Sequence, residues 1–257
     1  MNYLSVAEAR GLKGLRLVLS AGVPGPWGVA AKAIFTARNV PYIAVRQEIM
    51  QANEDLVAWT GRRNAPIAVY EDEPGLDNWL DIVMLAERLG RGPSLLPDDP
   101  VDEALALGFS AQICGHGGYG WSRRLGMARP EADPFPEDMQ AKRDRMMRAY
   151  GAGAADTLPR APQRVIRILN GLARQLHRQR EAGSDYLVGD RLGACDLHWA
   201  AFSQLAQPLT QDQCPFPPGM REMYDSMPPE VRAACDPILI EHRDRIFERH
   251  IGLPMDF

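Results

Sequence analysis

A change of pattern at Gly90-Arg91-Gly92-Pro93-Ser94, continued by Leu95-Leu96-Pro97-Asp98-Asp99-Pro100, constrains the fold more than any other feature. Glycine and proline at this density end a helix and keep a new one from starting. Before the break, short apolar runs alternate with helical ones. Residues 15–19, 42–45 and 67–70 read as strands. Residues 29–38, 53–59 and 78–89 read as helices, with Asn53 able to cap the second. Glu71-Asp72-Glu73-Pro74-Gly75 is a turn. Strand, helix, strand, then a third strand with turn and helix, gives a small α/β layer with a mixed sheet. Beyond the break the β-branched alternation disappears. Apolar spacing there fits helices over 101–115, 137–151, 160–182, 194–207 and 229–249. Two domains are expected: an α/β unit over residues 1–92 and an all-helical unit over residues 93–257.

Charge and cysteine content narrow the class. The net charge is -4 and neither half is polybasic, which disfavours nucleic acid and anionic lipid as partners. No apolar run approaches the ~18 residues of a membrane span, and the start carries no secretory leader pattern. A cytoplasmic protein is expected. Cys114, Cys195, Cys214 and Cys235 form no Cys-x-x-Cys pair and read as free thiols. No His or Cys cluster has ligand spacing, so no metal is expected.

The chemistry concentrates at Val23-Pro24-Gly25-Pro26-Trp27-Gly28. A strand, a shaped loop and a helix N-terminus make an anion-facing corner, because the first helical turn leaves backbone N–H groups free. No thiol, hydroxyl, imidazole or carboxylate lies between Val23 and Lys32. Asn64-Ala65-Pro66-Ile67 directly precedes the third strand. A cis Ala65-Pro66 bond there turns the Ala65 backbone N–H and C=O outward toward a ligand.

In order and spacing these features resemble the cytosolic glutathione S-transferases. The family's cis-proline loop matches Asn64-Ala65-Pro66-Ile67. Its acidic-or-amide plus serine pair, followed by Ile-x-x-Tyr-Leu, falls on Asn78-Trp79 and Ile82-Val83-Met84-Leu85-Ala86. The stretch from Leu89 through Pro97 resembles the interdomain linker. Tyr186-Leu187-Val188-Gly189-Asp190-Arg191-Leu192-Gly193-Ala194-Cys195-Asp196 resembles the family's Gly-x-x-x-Ser/Thr-x-x-Asp capping segment. The resemblance runs over roughly residues 14–250. It implies a thioredoxin-like N-terminal domain followed by an all-α C-terminal domain. It also implies reduced glutathione as co-substrate, a hydrophobic electrophile as substrate, and a homodimer.

Three positions depart from the family pattern. Gly25 stands where a Ser or Cys meets the glutathione sulfur, so disulfide chemistry at that position is disfavoured. Trp79 stands at the serine that helps hold the γ-glutamyl carboxylate. Either Asn78 and nearby backbone take over, or the register is shifted by one and Asn78 is the donor; the local alternative makes Asn78 a helix N-cap and Trp79 a core or interface aromatic. Gly193 stands at the capping Ser/Thr, with Asp196 three residues later able to accept from its N–H.

The resemblance then assigns candidate roles. Ala65 and Pro66 align the cysteinyl part of glutathione, Asn78 with Asp77 and Trp79 meets the glutamyl end, and Arg63 or its neighbour Arg62 attracts a carboxylate. The thiolate is held by N–H groups at Trp27 and Gly28, with the Trp27 ring covering it, or by Tyr119 or His116 from the second domain. Residues 115–121, glycine-rich and aromatic, read as a flexible pocket rim. The expected activity is transfer of glutathione to an electrophile or displacement from one. The alternatives are a noncatalytic glutathione-binding or protein-interaction module on the same fold, and a peroxidase-like or disulfide-exchange enzyme using Cys114.

Overall fold

A computed structural model of the chain describes residues 1–127, 144, 148 and 157–257. The helix expected over 137–151 falls, but for two positions, outside the described residues. Three strands form one sheet: β1 (Leu15–Ser20), β2 (Tyr42–Gln47) and β3 (Ile67–Tyr70), in the order β2-β1-β3. β1 and β2 are parallel with Leu15 opposite Tyr42, and β1 and β3 are antiparallel with Leu15 opposite Tyr70. A parallel pair needs a crossover. The helix α2 (Pro26–Ala37) supplies it. A short preceding helix, α1 (Val6–Ala9), carries a Ser5/Glu8 capping box that the sequence reading did not pick out.

Both faces of the sheet are covered, which is why the strands read as nearly unbroken apolar runs. Leu15, Leu17 and Leu19 face the main core, whereas Val18, Val45, Ile67 and Val69 meet Ala9 of α1 and Leu56 of α3 (Glu54–Thr60). The turn at residues 71–75 brings the chain back for a single bridge. Ala68 N–H donates to Leu76 O at 2.8 Å and Leu76 N–H returns to Ala68 O at 2.9 Å. Asn53 precedes α3 as expected but does not cap it with its side chain. It sits at φ 51°, and its amide bonds back to the Glu48 N–H (3.0 Å) and C=O (2.8 Å).

α4 (Trp79–Leu89) ends the strand-bearing domain, and α5 (Pro100–Cys114) starts behind Asp99, which accepts from the Val101 and Asp102 N–H groups. Arg38 seals the irregular connection. Its buried guanidinium donates to the carbonyls of Gly92, Glu87 and Gly90 and pairs with the Glu87 carboxylate at 3.2 Å. A Cβ at Gly92 would lie 2.7 Å from Ala37 O, so the linker glycine permits this close approach.

The helical domain continues with α6 (Tyr119–Met127), α7 (Thr157–Glu181) and α8 (Ala194–Phe202), the last running into a 3-10 turn at Ser203–Leu205. α9 (Met220–Asp225), α10 (Pro229–Ala233) and α11 (Pro237–Ile246) follow, with a closing π turn at Phe247–Ile251. The one helix expected over 229–249 is therefore two. Pro237 cannot continue a helix from behind, and Asp236 opens a new one by accepting from Ile238 N–H at 2.9 Å.

α8 lies at the centre, with all of its residues buried, and packs on both α2 and α5. Its start is fixed as the sequence anticipated: Asp196 accepts from Gly193 N–H at 2.8 Å. The same carboxylate, fully buried, also accepts from Leu187 N–H at 2.8 Å and faces His242 Nε2 at 3.0 Å. Gly189, at φ +71°, makes the sharp approach. The helix that begins at the Val23-to-Gly28 loop thus rests on the central helix of the second domain.

Candidate functional site

Gly25 is the N-cap of α2 and Pro26 its first residue. Proline suits that position because its missing donor has no partner there in any case. The cap supplies no side-chain hydrogen bond. It therefore gives the first-turn N–H groups of α2 no side-chain acceptor. Gly25 N–H donates to Val23 O at 2.9 Å. A Cβ built on Gly25 would have no atom within 4 Å, so the family's Ser/Cys position opens onto free space. The Ala65-Pro66 peptide is cis, with Pro66 buried and Ala65 half-buried at the entrance to β3.

Folding brings some of the candidate residues together and sets others apart. Trp27 does not cover this corner. Its indole N–H donates to Cys114 O at 3.0 Å and its ring meets Phe202 edge-on at 4.7 Å, so it ties α2 to the second domain. Trp27, Pro66, Asp77 and Trp79 share a crevice of about 20 Å³ with Cys114, His198 and Phe202. That is room for about one water, so these side chains pack closely along the domain seam. Gly28 lies close over β1, where a Cβ would meet Leu19 Cδ2 at 3.3 Å.

Tyr119 is core. It is 0% exposed, packs edge-on to Trp199 at 5.5 Å, and burial pushes its phenol above the usual range. It cannot reach a thiol at an open corner from there. His116 is exposed and stacks on Trp121 with centroids 4.5 Å apart. Of the expected rim, residues 115–118 lie outside a helix, with His116 and Gly117 exposed and Gly115 and Gly118 buried. From Tyr119 onward the segment is helix, with Gly120 pressed against Phe202 and Trp27.

On the other side of the corner, Arg62 Nε pairs with Asp77 Oδ2 at 2.8 Å, both partly exposed, and Arg63 is exposed. Asn78 caps α4 by accepting from Leu80 N–H at 2.9 Å. Trp79 turns toward the second domain and meets His198 edge-on at 5.7 Å. Its indole is an interdomain aromatic there. His198 Nδ1 lies 3.0 Å from Ser110 Oγ, and burial pushes its pKa down to about 3. Cys114 is buried, its thiol donates to Ser110 O at 3.1 Å, and burial pushes its pKa well up. Disulfide exchange at Cys114 is overturned by this burial, because the thiolate is the reactive form.

One residue that reaches the corner, Tyr224, and the arginine behind it, Arg123, were missed in the sequence. The Tyr224 hydroxyl donates to Pro24 O at 3.4 Å, and Arg123 holds the Tyr224 carbonyl at 3.5 Å and Ser226 O at 2.9 Å. Tyr224 sits on the short α9, whose six residues give too little periodicity to read. Arg124, the next residue of α6, donates to the Tyr224 hydroxyl at 3.3 Å.

Among the described residues, no helix is long and apolar enough to cross a membrane, and no three His, Cys, Asp or Glu side chains are grouped to hold a metal. No protein-family model matches the chain, and no curated protein matches it by sequence. Solved structures do match its shape. A glutathione transferase family member from Pseudomonas fluorescens, solved with two glutathione bound, superposes with a TM-score of 0.64 at 14% identity, covering 96% of this chain and 95% of that one. A glutathione S-transferase from Methylobacterium radiotolerans, in complex with glutathione sulfonate, gives 0.62 at 17% identity over 95% and 98%. The nitrogen regulation fragment of the yeast prion protein Ure2p gives 0.60 at 15% identity over 93% and 94%. The chain has the glutathione S-transferase fold: a thioredoxin-like domain followed by an all-helical one.

Proposed function

We propose that this protein is a glutathione S-transferase superfamily member that binds reduced glutathione at the corner between the α2 N-terminus and the Ala65-Pro66 loop. In this reading it joins the thiolate to a hydrophobic electrophile or uses it to displace a leaving group. The observation that carries the reading is the open first turn of α2 at Gly25, on a fold whose solved members include glutathione complexes. Ala65 backbone groups align the cysteinyl unit beside Pro66. Asn78 and Asp77 meet the glutamyl end, and Arg63, exposed nearby, attracts a carboxylate. The Trp27 and Gly28 N–H groups face the sulfur. A hydrogen bond to a charged group contributes roughly 1.5–3 kcal/mol. That lowers a thiol pKa by about one to two units, enough for useful thiolate near neutrality. The free, unpaired cysteines fit a cytoplasmic setting. Calorimetry with reduced glutathione tests binding, and an electrophile panel tests turnover. Folded protein with no heat of binding at millimolar ligand would sink this reading.

A second reading, a noncatalytic glutathione-binding or interaction module, is favoured by the missing side chain at Gly25 and by the likeness to the Ure2p fragment. Binding without turnover across the panel would select it. Either module is proposed to be a homodimer. Val101 (75% exposed) and Leu105 lie one turn apart on α5 and, with Met84 of α4, leave apolar surface in solvent. Sedimentation at twice the 28.5 kDa chain mass is the expected result.

A further inference from the structure

Two prolines strip the thiol corner of the donors that would normally fix a loop. In Pro24-Gly25-Pro26 only Gly25 carries an N–H, and it donates to Val23 O at 2.9 Å. Gly22, at φ +74°, and Gly25 add backbone freedom on either side. The N-cap has no side chain to lock the turn. The Pro24–Gly25 peptide is nevertheless held at both ends, because its carbonyl accepts from the Tyr224 hydroxyl at 3.4 Å.

Tyr224 is itself fixed from three directions. It is buried, and its ring meets Phe216 edge-on at 5.3 Å. The Arg124 guanidinium lies 5.5 Å from the ring centroid and donates to the hydroxyl oxygen at 3.3 Å. Arg123, buried, donates to the carbonyls of Leu205, Tyr224 and Ser226 at 2.8, 3.5 and 2.9 Å. Consecutive arginines of α6 therefore hold the main chain and the ring of one tyrosine. The result is a directed chain, Arg124 to Tyr224 to Pro24, in which the cation polarises the O–H that grips the loop.

We propose that Tyr224 is the positioning residue of the corner: a hydroxyl from the second domain sets the Pro24–Gly25 peptide plane and, through it, the aim of the Gly28 N–H in the first turn of α2. Its effect on a bound thiol rests on the glutathione reading above; its locking of the peptide does not.

The test uses Tyr224→Phe, which keeps the ring, and Arg124→Gln, which keeps Tyr224 whole. Hydrogen exchange at the Gly25 amide is read in the ligand-free protein. Calorimetry with reduced glutathione and a thiolate absorbance titration follow. In Tyr224→Phe the Gly25 amide is expected to exchange faster, glutathione affinity to fall roughly two- to tenfold, and the bound thiol pKa to rise. A purely structural role would not move that pKa. Arg124→Gln shifts the same readouts in the same direction by less, and decides the matter if Tyr224→Phe fails to fold. If wild-type protein takes up no glutathione, the function reading falls and Gly25 exchange alone decides. Faster exchange upholds the lock. Wild-type protection of Gly25 in a folded Tyr224→Phe protein overturns it.

Discussion

The indole N–H of Trp27, in the first turn of α2, donates to the carbonyl of Cys114, the last residue of α5, at 3.0 Å. That carbonyl is among the four that a helix C-terminus leaves without an intrahelical donor. One side chain thus satisfies the end of a second-domain helix while its ring packs on Phe202 of α8. Trp27→Phe keeps an aromatic ring there but strands the carbonyl. The expected cost is about 1–3 kcal/mol in urea denaturation. Unchanged stability would show that the bond carries no weight.

Gly120 is the counterpart of this seam on α6. A Cβ there would crowd Phe202 Cε1, lie 2.7 Å from its Cδ1 and sit 3.1 Å from Trp27 Cη2. Alanine has the better helix propensity by about 1 kcal/mol. Overpacking costs roughly 1–3 kcal/mol and should win. Gly120→Ala is expected to lower the thermal midpoint; a rise would contradict the packing described.

The open space at Gly25 makes the opposite prediction for that glycine. Gly25→Cys should fold with near wild-type stability, since the N-cap backbone (φ -61°, ψ 120°) suits any residue. A thiol at a helix N-terminus ionises below its ordinary value of about 8.5. The pH profile of alkylation should therefore show a group reacting at lower pH than the half-buried Cys235, whose thiol burial pushes up, because Cys114, Cys195 and Cys214 are buried. An ordinary thiol profile would argue against an anion-facing corner.

Asp196 gathers the Gly193 and Leu187 N–H groups and faces His242, all in the interior. Removing one partner from a buried charged network costs about 3–5 kcal/mol. Asp196→Ala is expected to lose that much in chemical denaturation, with no separate effect on ligand affinity in whatever fraction stays folded. A loss below about 1 kcal/mol would mean that the carboxylate is not the keystone of α8.

His198 gives a pH prediction. Burial pushes its pKa down to about 3 in the folded chain, whereas an unfolded histidine takes a proton near 6.5. Between those values only the unfolded state holds the proton. Stability is therefore full above about pH 6.5 and falls as pH drops through the window, by up to about 1.4 kcal/mol per unit. His198→Gln should flatten this slope. Parallel stability–pH curves for the two proteins would remove the claim.

Much of the fold was legible because its signals are local. The three strands, the linker break, the Asn78 cap of α4 and the Gly193/Asp196 start of α8 each depend on residues within a few positions of one another. Periodicity, caps and proline act over that range. Asn53 shows the limit: the cap position was right, but its amide turned back to Glu48, where two backbone groups competed for it.

By itself, then, the sequence determined an α/β layer followed by helices, and the bare backbone corner at Gly25. Only the tertiary structure decided which side chains face that corner. It buried Tyr119 against Trp199, spent the Trp27 indole on Cys114, turned Trp79 to His198, and brought Tyr224 to Pro24 across 200 residues of chain. The physical reason is that an aromatic residue carries both an apolar body and, in Tyr and Trp, a polar handle. Composition and spacing show that such a residue will be buried. Which carbonyl its handle meets depends on how two domains pack, and no local pattern records that.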